Sequence, residues 1–123
     1  PRKFLLPSLL NPPAPPKWPA RLGSEVAILC AGKEGQVGMD DLYTAGVLAQ
    51  GLLAEGFEPE GDGVQIALHL AQKPALPVLR ASEAALALKR EGLGADVDFC
   101  VQIGLSERVP RLLERRGEAL VFA

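Results

Sequence analysis

The stretch SEVAILCAGKEGQVGMDDLYTAGVLAQGLLAEG, residues 24–56, decides the reading of the fold. Its first seven residues, 24–30, form an apolar run containing β-branched Val26 and Ile28, bounded by Gly23 and Gly32. That is the pattern of a strand buried on both faces, and such strands belong to parallel sheets. From residue 40 the periodicity becomes helical. Residues 40–55 place Leu42, Ala45, Ala49, Leu52 and Leu53 on one stripe, Gly46 beside it admits close approach to a sheet, and Gly56 stops the helix.

Outward from this unit the organisation stays α/β. Residues 61–73 and 81–92 read as two amphipathic helices, the second running from a Ser82 cap to Gly92. Residues 95–104, ADVDFCVQIG, are ambiguous between helix and strand, and residues 108–123 predict two strands joined by a turn near Arg116-Gly117. On the N-terminal side, KFLLPSLL (3–10) reads as a short buried strand or strand end, and residues 12–19 as a proline-rich extended connector, because Pro16 would break any helix started at Asn11. The expectation is one α/β domain over residues 1–123, with a largely parallel sheet flanked by helices and a C-terminal β-hairpin. No internal repeat is present.

Composition excludes several function classes. The chain has 123 residues, 48% of them hydrophobic, enough for one globular domain with a modest core. Thirteen basic residues stand against fifteen acidic ones, and the cluster Arg108, Arg111, Arg115 and Arg116 has no interleaved aromatics, so no nucleic-acid partner is expected. Pro7 and Asn11 cut the opening apolar run too short for a secretory signal, and no segment reaches the roughly 18 apolar residues of a membrane span. Two cysteines 70 positions apart form neither a disulfide framework nor a zinc spacing. A reducing cytoplasm is the expected compartment, with no membrane partner.

The chemistry concentrates where the strand ends. Ligands of open α/β sheets gather at the carboxyl ends of strands, and Cys30, Ala31 and Gly32 stand at such an end. Gly32, Gly35 and Gly38 let the backbone approach a ligand and aim amides at an anion. The dipole of a helix opening at Asp40 adds to this. Asp40 and Asp41 are then either metal or substrate ligands or an ordinary N-cap. Cys30 is either a small hydrophobe at a strand end or a reactive thiol with a depressed pKa. Cys100 and the lone His69 are read as structural. No Walker or dinucleotide fingerprint occurs.

Spacing alone stops at an anion-binding α/β domain. The run Cys30-Ala31-Gly32, two residues, Gly35, four residues, then Asp40-Asp41 and three residues before Ala45-Gly46 resembles a signature of the 2-phosphosulfolactate phosphatase family. DVDFCVQ, residues 96–102, followed by Val109-Pro110 and a terminal strand pair, is a second resemblance, and SLLN, residues 8–11, a third. The resemblance covers nearly the whole chain but only the C-terminal half of the usual member. The preceding half, with an Asp-x-x-Arg-Ala-Thr strand end and a Thr-Thr-Asn-Gly-Thr loop, has no counterpart here. Asp40 stands where glutamate is usual, and Ser82-Glu83-Ala84 replaces a His-Gly stretch.

The resemblance implies a Mg2+-dependent phosphatase that hydrolyses (2R)-phosphosulfolactate to sulfolactate and phosphate, a step of coenzyme M synthesis. It implies Asp40 and Asp41 as metal and catalytic candidates. Cys30 would line the pocket, with a nucleophilic role left open, and Asn11, Ala31, Gly32, Lys33 and Gly35 would be substrate contacts. The expected partners are a small phosphorylated acid, sulfonated or not, and either the missing N-terminal lobe or another copy of the chain in a homo-oligomer. The alternative is a non-enzymatic anion-binding or interaction domain that retains the fold.

Overall fold

The computed structural model describes residues 3–12 and 23–123. The elements are helices α1 (Met39–Ala54), α2 (Asp62–Ala71), α3 (Ala75–Arg80), α4 (Glu83–Arg90) and α5 (Gly94–Cys100), then strands β1 (Leu112–Arg116) and β2 (Ala119–Phe122). The connector expected at 12–19 lies, apart from Pro12, outside the described residues.

Helix α1 is the organising element. Its buried residues include Tyr43, Ala45, Leu48, Ala49 and Leu52, whereas Leu53 is exposed, so the apolar stripe is rotated from the expected one. The rotation follows from packing on two sides. Tyr43 joins a core with Leu9, Leu79, Ala85 and Val97, while Leu48 and Leu52 form a second cluster that Val26, Ile28 and Phe57 cover. The Tyr43 hydroxyl donates to the Lys73 carbonyl at 2.7 Å, and burial pushes its pKa up, keeping the phenol protonated as that bond requires.

Gly46 does serve a close approach, but its neighbour is α2 rather than a sheet. A Cβ on Gly46 would stand 2.0 Å from the Ala67 carbonyl oxygen and 2.7 Å from the Ala71 Cβ. Backbone at that distance cannot give way without moving a helix. Gly46→Ala is therefore expected to destabilise the chain by about 2 kcal/mol or more, lowering Tm by roughly 8 °C in thermal denaturation. Gly63→Ala is the control, because that helical position faces open space; it should be neutral or stabilising, since alanine favours the helix.

The shorter helices follow local rules. Ser82 caps α4 as its sequence predicts, accepting from the Ala85 amide at 3.1 Å and donating to the Leu79 carbonyl at 2.7 Å while 2% exposed. Helix α3 has no counterpart among the expected elements, which leave residues 74–80 unassigned. Pro74 occupies the N-cap and Pro77 the first turn, where a missing N–H leaves no helical bond unmade. Of the ambiguous segment 95–104, the part up to Cys100 is helical and residues 101–104 are not.

The C-terminal hairpin is as expected. β1 and β2 pair antiparallel with Arg116 opposite Ala119, a bulge between Leu112 and Glu114, and Gly117 at φ 60° opening the two-residue turn. Residues 4–10 run beside the stretch leading into β1: Leu5 bridges Arg111, the Leu6 amide donates to Pro110, and the Ser106 amide donates to Leu10. KFLLPSLL, expected as a short buried strand or strand end, makes a single isolated bridge and no strand, with Leu9 buried and Phe4 and Leu6 exposed.

Residues 24–30 depart from expectation. Val26 and Ile28 pack against α1, but Leu29 is 86% exposed, and among the described residues no strand pairs with this segment. One face is covered, not two. The only sheet among the described residues is the antiparallel hairpin, so the chain is a mixed helix and strand structure and a largely parallel sheet is not shown. Among the described residues no helix is long and apolar enough to cross a membrane.

Candidate functional site

The segment 24–30 delivers Cys30 to the beginning of a glycine loop that ends on α1. Lys33 and Gln36 exchange two backbone bonds, at 3.0 and 2.8 Å, around a two-residue turn. Glu34 and Gly35 have φ of 51° and 78°, the doubly positive geometry of a type I′ turn. Just before it, Gly32 has φ 69°, and a Cβ there would lie 2.8 Å from the Gln36 carbonyl oxygen. Only glycine fits this position.

Gly38, at φ −93° and ψ 125°, is the N-cap of α1, and no side chain caps the helix. Neither Asp40 nor Asp41 is the cap. They fall in the first helical turn, with both carboxylates beside the Gly38 α-carbon: a Cβ at 38 would be 2.9 Å from Asp40 Oδ1 and 3.4 Å from Asp41 Oδ2. Asp41 Oδ2 reaches back to accept the Gly32 amide at 2.6 Å. The Asp40 carboxylate accepts no hydrogen bond among the described residues; its backbone carbonyl accepts from the Thr44 hydroxyl at 2.9 Å.

The loop encloses a shallow, open concavity of about 320 Å³, lined by residues 30–32 and 35–38 and bordered by Leu42. Cys30, Ala31, Gly32 and Gly35 are brought together there. Asp40 and Asp41 stand beside it, close enough to act on Cys30. Lys33 is exposed at the start of the turn and is not a lining residue. Asn11 is not a lining residue either. Its Oδ1 accepts from the Ser8 amide and hydroxyl, at 2.6 and 2.8 Å, and its Nδ2 donates to the Arg108 carbonyl at 2.7 Å. These bonds tie residues 8–11 to the segment before β1. Gln36, Val37 and Leu42 line the concavity although no sequence motif singled them out; the Lys-Glu-Gly-Gln turn was the available signal for Gln36.

Partial burial pushes the Cys30 pKa up, and the carboxylates of Asp41 and then Asp40 push it further. A thiol raised in this way is less ionised at any pH below its pKa, and the thiolate is the nucleophile. Cys30 is exposed, so access does not limit its chemistry. At pH 8 it should react with iodoacetamide more slowly than free cysteine, as measured by mass spectrometry of the labelled peptide. Faster labelling would make it an activated nucleophile.

Among the described residues there is no group of three or more His, Cys, Asp or Glu side chains placed to hold a metal. The pair Asp40 and Asp41 suits a different mode, since Mg2+ is commonly held by one or two carboxylates with water and substrate phosphate completing its shell.

A glycine-rich loop lining an open concavity, with two carboxylates beside it, is a setting that suits an anion and its counter-cation. A family model described as 2-phosphosulpholactate phosphatase matches residues 1–115, and the chain belongs to that family. It is 52% identical over 124 residues to a probable 2-phosphosulfolactate phosphatase of Thermus thermophilus, covering 98% of this chain and 52% of that protein. A protein of the same name from Deinococcus radiodurans is 40% identical over 115 residues, covering 91% of this chain and 48% of its own length. Another, from Caldanaerobacter subterraneus, is 27% identical over 114 residues. The chain spans about half the length of the curated relatives it matches.

Proposed function

We propose that this chain is one lobe of a Mg2+-dependent phosphatase that hydrolyses 2-phosphosulfolactate, or a related phosphorylated 2-hydroxy acid, to the hydroxy acid and phosphate in the cytoplasm. The observation that carries the reading is the glycine loop at residues 30–38 with Asp40 and Asp41 beside its concavity. Family membership supplies the reaction class.

The residues divide the task as phosphoryl transfer requires. Asp40 and Asp41 would hold Mg2+, which when bound supplies positive charge against the phosphoryl oxygens. The amides of Gly35 and Val37 make no hydrogen bond among the described residues and are free to meet an anion. The first-turn amides of α1 have no partner within the helix and add to that field. Cys30, kept protonated, lines the pocket, and water is the attacking group. Such chemistry depends on positioning and charge neutralisation rather than a covalent intermediate.

In this reading residues 24–30 join a parallel sheet completed by the lobe that the relatives possess and this chain does not span, or by another copy of the chain. The exposed Leu29 and Val37, at 86% and 82%, are the surface that completion would cover. A second reading is a domain that binds anions without turnover: between residues 24 and 56 the one basic residue, Lys33, is not among those lining the concavity. Phosphate release from 2-phosphosulfolactate and from phosphorylated 2-hydroxy acids lacking the sulfonate, with Mg2+ and the complementary lobe present, separates the two. Turnover with at least one substrate supports the phosphatase; binding without turnover across the panel supports the domain.

A further inference from the structure

We propose that Asp41 is a positioning residue that clasps the glycine loop to α1, leaving Asp40 as the carboxylate open to a cation. The inference rests on the phosphatase reading only for what the cation does; the clasp stands on geometry. Asp41 Oδ2 accepts the Gly32 amide at 2.6 Å across nine positions of sequence. A bond from an amide to a carboxylate is charge-assisted and stronger than a neutral one. The backbone at Gly32 is itself restricted: with φ 69° and the Gln36 carbonyl oxygen 2.8 Å from where a Cβ would stand, the position fits only glycine.

The clasp matters because little else secures the loop. Residues 31–37 are all exposed, so no apolar packing fixes them. The Lys33–Gln36 bonds close the turn on itself but do not attach it to the helix. Asp41 makes that attachment, next to a concavity that Gly35 and Val37 line. With one oxygen committed to Gly32, Asp41 has less to offer a metal. Asp40 carries no such commitment among the described residues. Gly32 has a corresponding change of part: its amide is spent on the clasp and is not an anion donor.

Amide exchange on the isotope-labelled chain without metal tests the clasp, and Mn2+ line broadening tests the division of labour. Asp41→Ala should speed exchange of the Gly32 amide by about 10- to 100-fold, the value of a bond to a charged group, and shift the resonances of residues 31–37. Asp41→Asn should restore much of the protection, since an amide oxygen still accepts. Asp40→Asn should leave Gly32 protected and abolish Mn2+ broadening of the loop, while Asp41→Asn retains it. Unchanged Gly32 exchange in Asp41→Ala overturns the clasp. Broadening lost in Asp41→Asn but kept in Asp40→Asn reverses the assignment. If Mn2+ broadens nothing in the unaltered chain, Asp40's part and the metal reading fall together, and Gly32 exchange still decides the clasp.

Discussion

With 2-phosphosulfolactate and Mg2+ the 123-residue chain alone should release phosphate at no more than about one-thousandth of the rate it reaches when mixed with the complementary half of a relative. A transferring phosphoryl group spreads negative charge over three equatorial oxygens, and enzymes meet it with cations from more than one side. Between residues 24 and 56 the chain has one basic residue, Lys33, which is exposed and outside the lining of the concavity. The arginine and threonine groups that family resemblance sets opposite belong to the half this chain does not span. An arginine so placed is worth about 10³–10⁵ in rate. Full activity from the chain as a strict monomer would contradict the account.

Asp40→Asn should lower kcat of that two-lobe assembly by about 100-fold or more and leave Tm within about 2 °C, because its carboxylate makes no hydrogen bond among the described residues and the expected loss is small for an exposed polar change. Steady-state kinetics across a Mg2+ series, beside a thermal melt, reads both effects. A loss of stability matching the loss of activity would make Asp40 a structural residue instead.

Much of the architecture was legible because local rules governed it. The Ser82 cap, the α1 and α2 periodicities and the Gly117 turn each act through neighbours within a few residues. Helix α3 was hidden because proline weighs against a helix until its position in the first turn is known. At Gly46 the sequence marks a close approach without saying what approaches. The run 24–30 announces burial on two faces, yet one partner surface is not present among the described residues, so Leu29 stands exposed.

The site was legible in its residues and less so in their parts. Cys30, Ala31, Gly32 and Gly35 do line one concavity, because the Lys33–Gln36 turn between Gly32 and Gly38 folds a short loop back on itself. Helix-capping preference pointed to Asp40 or Asp41 at the N-cap, but Gly38 takes that place and leaves the aspartates free for other work. Asn11 is held by Ser8 and Arg108, contacts 97 positions apart at their widest that no local pattern reveals.

The most direct test of the account is a map of amide shifts in this chain, isotope-labelled within the two-lobe assembly, on adding 2-phosphosulfolactate and Mg2+. The largest shifts should fall on Gly35, Val37 and the first turn of α1 around Asp40 and Asp41. Shifts confined to a separate surface concavity, lined by Asp62, Gln65, Ile66 and His69 on α2, would contradict it.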